Sequence, residues 1–246
     1  MRKTKLAAAA VAALALALAL AGCAAGLKSL DVVGQQSVTS FDAVLKVIPD
    51  RVQADEANVG WSLTAPDDSV RFIWSEDYSR APLHDVMLEL DARPFLDAGL
   101  DPEKLPDNYA FYEGEAMGGM GAKMLMVGAK LGGDKLAYSG EPTALAAYEQ
   151  IVNKYRGAVN FHTSLDHFGV LLGDGNLFEW AKDMKTNGYD DTPQDKDIVF
   201  VLNPEPLIAS GVDPEKVVDW AYAQVSVDVD GKPELVWKFL KPFDLQ

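Results

Sequence analysis

The chain has 246 residues, 48% hydrophobic, 9% aromatic and 24% charged, a globular composition rather than a disordered or collagen-like one. Its 37 acidic residues against 22 basic ones give a formal charge of -15, a field that repels phosphate backbones and so excludes nucleic acid as a partner. A single cysteine excludes internal disulfides, Cys-rich zinc sites and iron–sulfur clusters.

Arg2, Lys3 and Lys5 precede an unbroken run of Leu, Ala and Val over residues 6–21, the charged and apolar regions of an export signal. The run closes in Leu20-Ala21-Gly22-Cys23. This motif resembles the lipobox of bacterial lipoproteins. The resemblance implies removal of a signal peptide over residues 1–22 and a diacylglycerol with further acyl chains, such as palmitate, on Cys23. Attachment to the extracytoplasmic face of a membrane, at the cell surface or in the periplasm, would follow through the lipid, each buried methylene contributing about 0.8 kcal/mol. Ala24 stands where the family's retention rule places Asp, which implies the outer membrane if the cell has one. The competing expectation is an uncleaved span, because the apolar stretch continues through Ala24, Ala25 and Leu27. Residues 23–40, rich in Gly, Ser, Gln and Thr, read as a lipidated tether, with a first edge strand over residues 30–33 as the alternative.

Beyond residue 40 the chain matches itself. The segment from Pro94 through Gly99-Leu-Asp101-Pro102-Glu103-Lys104 aligns without gaps on that from Pro206 through Gly211-Val-Asp213-Pro214-Glu215-Lys216. In the same order, Phe72-Ile-Trp74-Ser-Glu-Asp77 pairs with Phe178-Glu-Trp180-Ala-Lys-Asp183, and Gly60 with Gly169. The expectation is an α+β protein, internally duplicated, with two pseudo-symmetric halves at residues 41–140 and 141–246. Each half should carry a mainly antiparallel sheet with helices on one face.

In chain order, each half reads as an amphipathic helix (41–47 or 145–155), then a hairpin (59–63 with 69–74, or 169–172 with 176–180). An apolar central strand (85–90 or 197–202) leads into a short helix stopped by Gly99 or Gly211. Asp101-Pro102 or Asp213-Pro214 then caps a new start, and a last hairpin follows (109–117 with 122–129, or 221–227 with 234–240). Positions shared by both halves, Phe72, Trp74, Asp77, Gly99 and Asp101 with Phe178, Trp180, Asp183, Gly211 and Asp213, are expected to serve the fold. Function is expected where the halves differ.

His162-Thr-Ser-Leu-Asp166-His167 is present in the second half alone; with His84 from the first it provides side chains for a ligand or metal site, or for an Asp-oriented base. Its bland alternative is a helix-to-strand corner. Met117, Met120, Met124 and Met126 suggest copper(I), against which Met124 and Met126 align on Leu235 and Trp237 as core. Asp228-Val-Asp230-Gly231 and Asp174-Gly175-Asn176 read as hairpin turns rather than calcium loops, and Gly118-Gly119-Met120-Gly121 as a loose turn. The acidic stretch 189–197 reads as solvated surface, with weak cation binding as its alternative.

No hydrolase or zinc-protease motif occurs, no catalytic residue is assigned, and no cofactor is evident. The function expected is therefore a non-enzymatic ligand-binding or scaffolding role at a membrane surface, with a small ligand in the groove between the halves. Two alternatives stand beside it: an extracytoplasmic metal-binding protein or metal-dependent enzyme using His162, Asp166 and His167, and a lipoprotein that docks a protein partner through an exposed apolar patch.

Overall fold

A computed structural model describes residues 31–56, 60–76, 85–114, 121–130, 143–154, 159–162, 166–184, 192–229 and 232–245. The predicted signal, the tether before residue 31 and Cys23 lie outside them, as do Asp77, His84, Met117 and Met120. No helix among the described residues is long and apolar enough to cross a membrane.

Helix α1 (Val32–Val47) opens on Asp31, whose side chain accepts a hydrogen bond from the Gly34 amide at 2.8 Å. Its buried stripe is Gly34, Ser37, Ser40, Phe41 and Val44, spaced three and four apart as a helix requires. The segment read as tether or edge strand is thus helical from residue 32. Three of these five residues are glycine or serine, which carry little hydrophobic signal but let a second helix approach closely.

The strands are β1 (Val52–Asp55), β2 (Gly60–Thr64), β3 (Val70–Ser75), β4 (Val86–Asp91), β5 (Tyr109–Glu113) and β6 (Lys123–Ala129). After the helix α3 (Ala144–Lys154) come β7 (Val159–His162), β8 (His167–Leu171), β9 (Leu177–Ala181), β10 (Ile198–Leu202), β11 (Ala221–Val229) and β12 (Lys232–Phe243). The short helices α2 (Arg93–Asp97) and α4 (Pro204–Ala209) follow β4 and β10. All described pairings are antiparallel, in two six-stranded sheets ordered β1-β2-β3-β4-β6-β5 and β7-β8-β9-β10-β12-β11. The order is the same in both. Edge strands β1 and β7, each of four residues, add to the hairpins that the sequence predicts.

The inner faces meet in one core. Phe72 and Trp74 on β3, with Phe178 and Trp180 on β9, are fully buried there. Phe72 stacks on Phe178 at 4.7 Å between ring centroids, and Phe41 of α1 lies 4.2 Å from Tyr148 of α3. Each indole reaches across: Trp74 Nε1 donates to the Ala144 carbonyl at 3.0 Å, and Trp180 Nε1 to Ser40 Oγ at 3.2 Å. Rather than covering a face of their own sheets, the long helices pack on each other and on the opposite sheets, α1 on β7 and β9 and α3 on β1, β2 and β3.

The short-helix exits touch reciprocally as well. Asp101 N donates to Ser210 O at 2.8 Å while Asp213 N donates to Ala98 O at 2.9 Å. Gly99 and Gly211 hold φ of 106° and 105°, and a Cβ on either would stand 2.8 or 2.7 Å from the other's carbonyl oxygen. Glycine is needed there twice over, for the backbone angle and for the close approach.

Two residue equivalences need correction. The register pairs Gly60 with Ser75 and His167 with Ala181, so Gly60 occupies the place of His167, not of Gly169. Met124 and Met126 pair with Asp91 and Glu89, which places Met126 opposite the same position as Leu240 and sets Met124 level with Lys238 rather than Leu235. Strand alternation turns both methionines away from the inner core that holds Leu125 and Val127.

Candidate functional site

Among the described residues, the space between the sheets is filled by the aromatic packing of Phe72, Trp74, Phe178 and Trp180. A pocket of about 700 Å³ lies instead on the outer face of the second sheet, within the usual range for small-molecule sites. Its floor follows from strand alternation. As Phe178, Trp180, Phe200 and Leu202 point inward, Leu177, Glu179, Val199 and Val201 point outward. Val225 and Val236 extend the floor along the β11–β12 hairpin, and the start of α4 with Ile208 walls one side. Tyr222 and Trp237, stacked at 4.5 Å on the opposite face of that hairpin, border the pocket from behind, Trp237 being 46% exposed.

The rim at Asp174 and Gly175 is held by residues from the first half of the chain. Asn108 Nδ2 donates to Asp174 Oδ2 at 2.6 Å. Fully buried Asn176 donates to the Gly173 carbonyl at 2.9 Å and accepts from the Asn203 amide at 2.9 Å and the Tyr109 hydroxyl at 3.4 Å. Burial pushes the Tyr109 phenol up to about 12, so it stays a donor. Positive φ at Gly173, Asp174 and Gly175 makes the tight β8–β9 turn. That turn matches the hairpin expected at Asp174-Gly175; β11 and β12 pair as far as Val229 and Lys232, and Asp230 and Gly231 between them lie outside the described residues.

Of the four charged residues that line the pocket, Asp174 and Glu205 are exposed, and Glu179 and Lys238 are buried. Glu179 is 3% exposed, and its Oε2 has no hydrogen-bond partner among the described residues. Burial pushes its carboxyl up to about 7, partly opposed by Lys238. Lys238 is 8% exposed; its Nζ donates to the Gly175 carbonyl at 2.9 Å, and burial holds its ammonium below the usual lysine range.

The corresponding outer face of the first sheet is chemically different. Arg71, Ile73, Glu89 and Met124 occupy the places of Leu177, Glu179, Val201 and Lys238. Arg71 donates to Glu89 Oε1 through Nε at 2.9 Å and lies 2.7 Å from it through Nη2, with Asp55 3.7 Å away. Glu89 of that sheet is thereby hydrogen-bonded, while Glu179 of the second sheet lines the pocket with one buried oxygen unpaired among the described residues. In the sequence, the signal for Glu179 is its replacement of Ile73 between two matched aromatics, a place where the halves differ.

His162 and His167 are cross-strand partners at the end of the β7–β8 hairpin rather than members of a helix-to-strand corner. His167 is 1% exposed, whereas Asp166 is exposed, with φ of 54° and an ion pair to Lys182 at 3.4 Å. No three His, Cys, Asp or Glu residues among those described come together to hold a metal. Asp101 and Asp213 cap 3₁₀ turns by accepting from the Glu103 and Glu215 amides, as expected, and Asp183 is exposed. In the acidic stretch, Asp195 closes a capping box with Thr192, and Asp197 accepts from the Leu245 amide at 2.6 Å.

No known protein family, curated protein or solved structure matches the chain.

Proposed function

We propose that this is an exported lipoprotein, anchored through acyl chains on Cys23 at the extracytoplasmic face, that binds a small ligand without chemically transforming it. The pocket on the outer face of the second sheet is the proposed ligand site. The observation that carries this reading is Glu179: a buried carboxyl with an unpaired oxygen costs stability in an apolar floor, and a ligand that pairs with it removes that cost. We also infer an internal duplication, supported by the common strand order and by the reciprocal contacts of Phe72 with Phe178 and Gly99 with Gly211. In this view the outer face of the second half diverged into a site while the first closed its own with Arg71 and Glu89.

Two measurements test the proposal. Native mass spectrometry of the full chain incubated with a metabolite extract should show a stoichiometric adduct that Leu177→Trp, which fills the pocket, abolishes. A bare chain mass in both proteins overturns the ligand site. Metabolic labelling with an alkynyl fatty acid should mark the wild-type chain and not Cys23→Ser; equal labelling of the two overturns the anchor.

A further inference from the structure

The chemistry around Glu179 narrows the class of ligand. We propose that the pocket selects a hydrophobic amine, with the Glu179 carboxylate as the counter-ion to its ammonium group and the apolar floor holding its hydrocarbon body. This inference rests on the pocket being the ligand site proposed above.

The charges at the pocket favour a cation over an anion. Asp174, Glu179 and Glu205 all line it, against Lys238 alone. A carboxylate ligand drawn to Lys238 would meet those three acids, and the chain as a whole carries -15. Like-charge juxtaposition of that kind costs several kcal/mol in a partly desolvated site. The Lys238 ammonium is also already engaged by the Gly175 carbonyl, whereas Glu179 Oε2 has no partner among the described residues. An ammonium supplies the donors that this oxygen lacks, in a charge-assisted bond about twice as strong as a neutral one. Around these groups the lining is Leu177, Val201, Val225 and Val236, which a polar amine would leave unfilled.

The test is isothermal titration of the full chain at pH 8 with three probes of the same chain length: octylamine, octanol and octanoate. The expected order is octylamine at least tenfold tighter than octanol, with octanoate weakest. Glu179→Gln should reduce octylamine to the octanol level, its fold checked by circular dichroism. Lys238→Met should act with the opposite sign, tightening octylamine severalfold, so that one uninformative variant does not decide the matter. Octylamine binding no tighter than octanol, or an amine preference that survives Glu179→Gln through exposed carboxylates, overturns the amine inference and leaves the ligand site standing. Absence of saturable binding for all three probes, or binding that Leu177→Trp does not weaken, overturns both.

Discussion

At the scale of single residues, Glu179 ties stability to pH. Its carboxyl titrates near 7 in the folded chain instead of near 4.5, because burial disfavours the charged form. The folded state therefore holds the proton more tightly, and this group's contribution to stability falls as pH rises from about 4.5 to about 7, then stays constant. The full cost of ionising it in place is on the order of 3 kcal/mol. Glu179→Gln should flatten that part of the profile and raise the unfolding free energy at pH 8, read from urea titrations at several pH values; an unchanged slope would mean that the carboxyl is solvated. Gly211 is sensitive for a different reason. Gly211→Ala places a Cβ 2.7 Å from the Gly99 carbonyl at a φ of 105°, and should cost about 2 kcal/mol or more. The same substitution at Gly114, where an added Cβ meets nothing within 4 Å, should cost less than 1 kcal/mol.

At the scale of elements, α1 is a structural member and not a spacer. Phe41 is fully buried among Trp74, Tyr148 and Trp180, with ring centroids at 5.4, 4.2 and 5.1 Å. Phe41→Ala should cost about 3 to 5 kcal/mol, measured by denaturant unfolding of the full chain; a loss below 1 kcal/mol would mean that the helix is dispensable. What made α1 hard to see also explains which elements were legible. The β2–β3 and β8–β9 hairpins were legible because Pro66-Asp67-Asp68 and Gly173-Asp174-Gly175 permit only tight turns between apolar runs. Strand β10 was legible as an unbroken apolar stretch, and β4 as an apolar run interrupted at Glu89, both at sheet centres. In α1, by contrast, Gly34, Ser37 and Ser40 occupy the buried face, so before Phe41 a hydrophobic scan meets only the scattered Val32, Val33 and Val38. Strands β1 and β7 are too short to show a period, and β1 exposes Gln53 and Ala54 at an edge. The pocket was illegible for a related reason: it depends on which of two matched faces carries paired charges, and that contrast appears only once the register sets Leu177 and Val201 against Arg71 and Glu89.

At the scale of the whole molecule, the matched sequence suggests two units, yet the packing makes one. Helix α1 precedes the first sheet in the chain but packs on the second, and α3 does the converse. Phe95 of α2 packs against Trp220 and Phe239, and Lys241 of β12 pairs with Asp67 at the β2–β3 turn at 2.8 Å. Neither half can bury its own inner sheet face without the other's helix and aromatics. Thermal unfolding of the full chain should accordingly be a single transition, with calorimetric and van't Hoff enthalpies in agreement. Residues 1–140 and 141–246, expressed separately, should each lack the near-ultraviolet tryptophan signal of Trp74 or Trp180. Two resolved transitions, or a cooperative melt from either fragment alone, would show that the halves are independent. The pocket would then belong to the second fragment by itself. In the intertwined arrangement it cannot, because Asn108 and Tyr109 of the first half hold the Asp174–Asn176 turn at its rim. A change in the first half at Asn108, such as Asn108→Ala, should therefore loosen ligand binding in the second by a few fold, an effect that independent halves would not transmit.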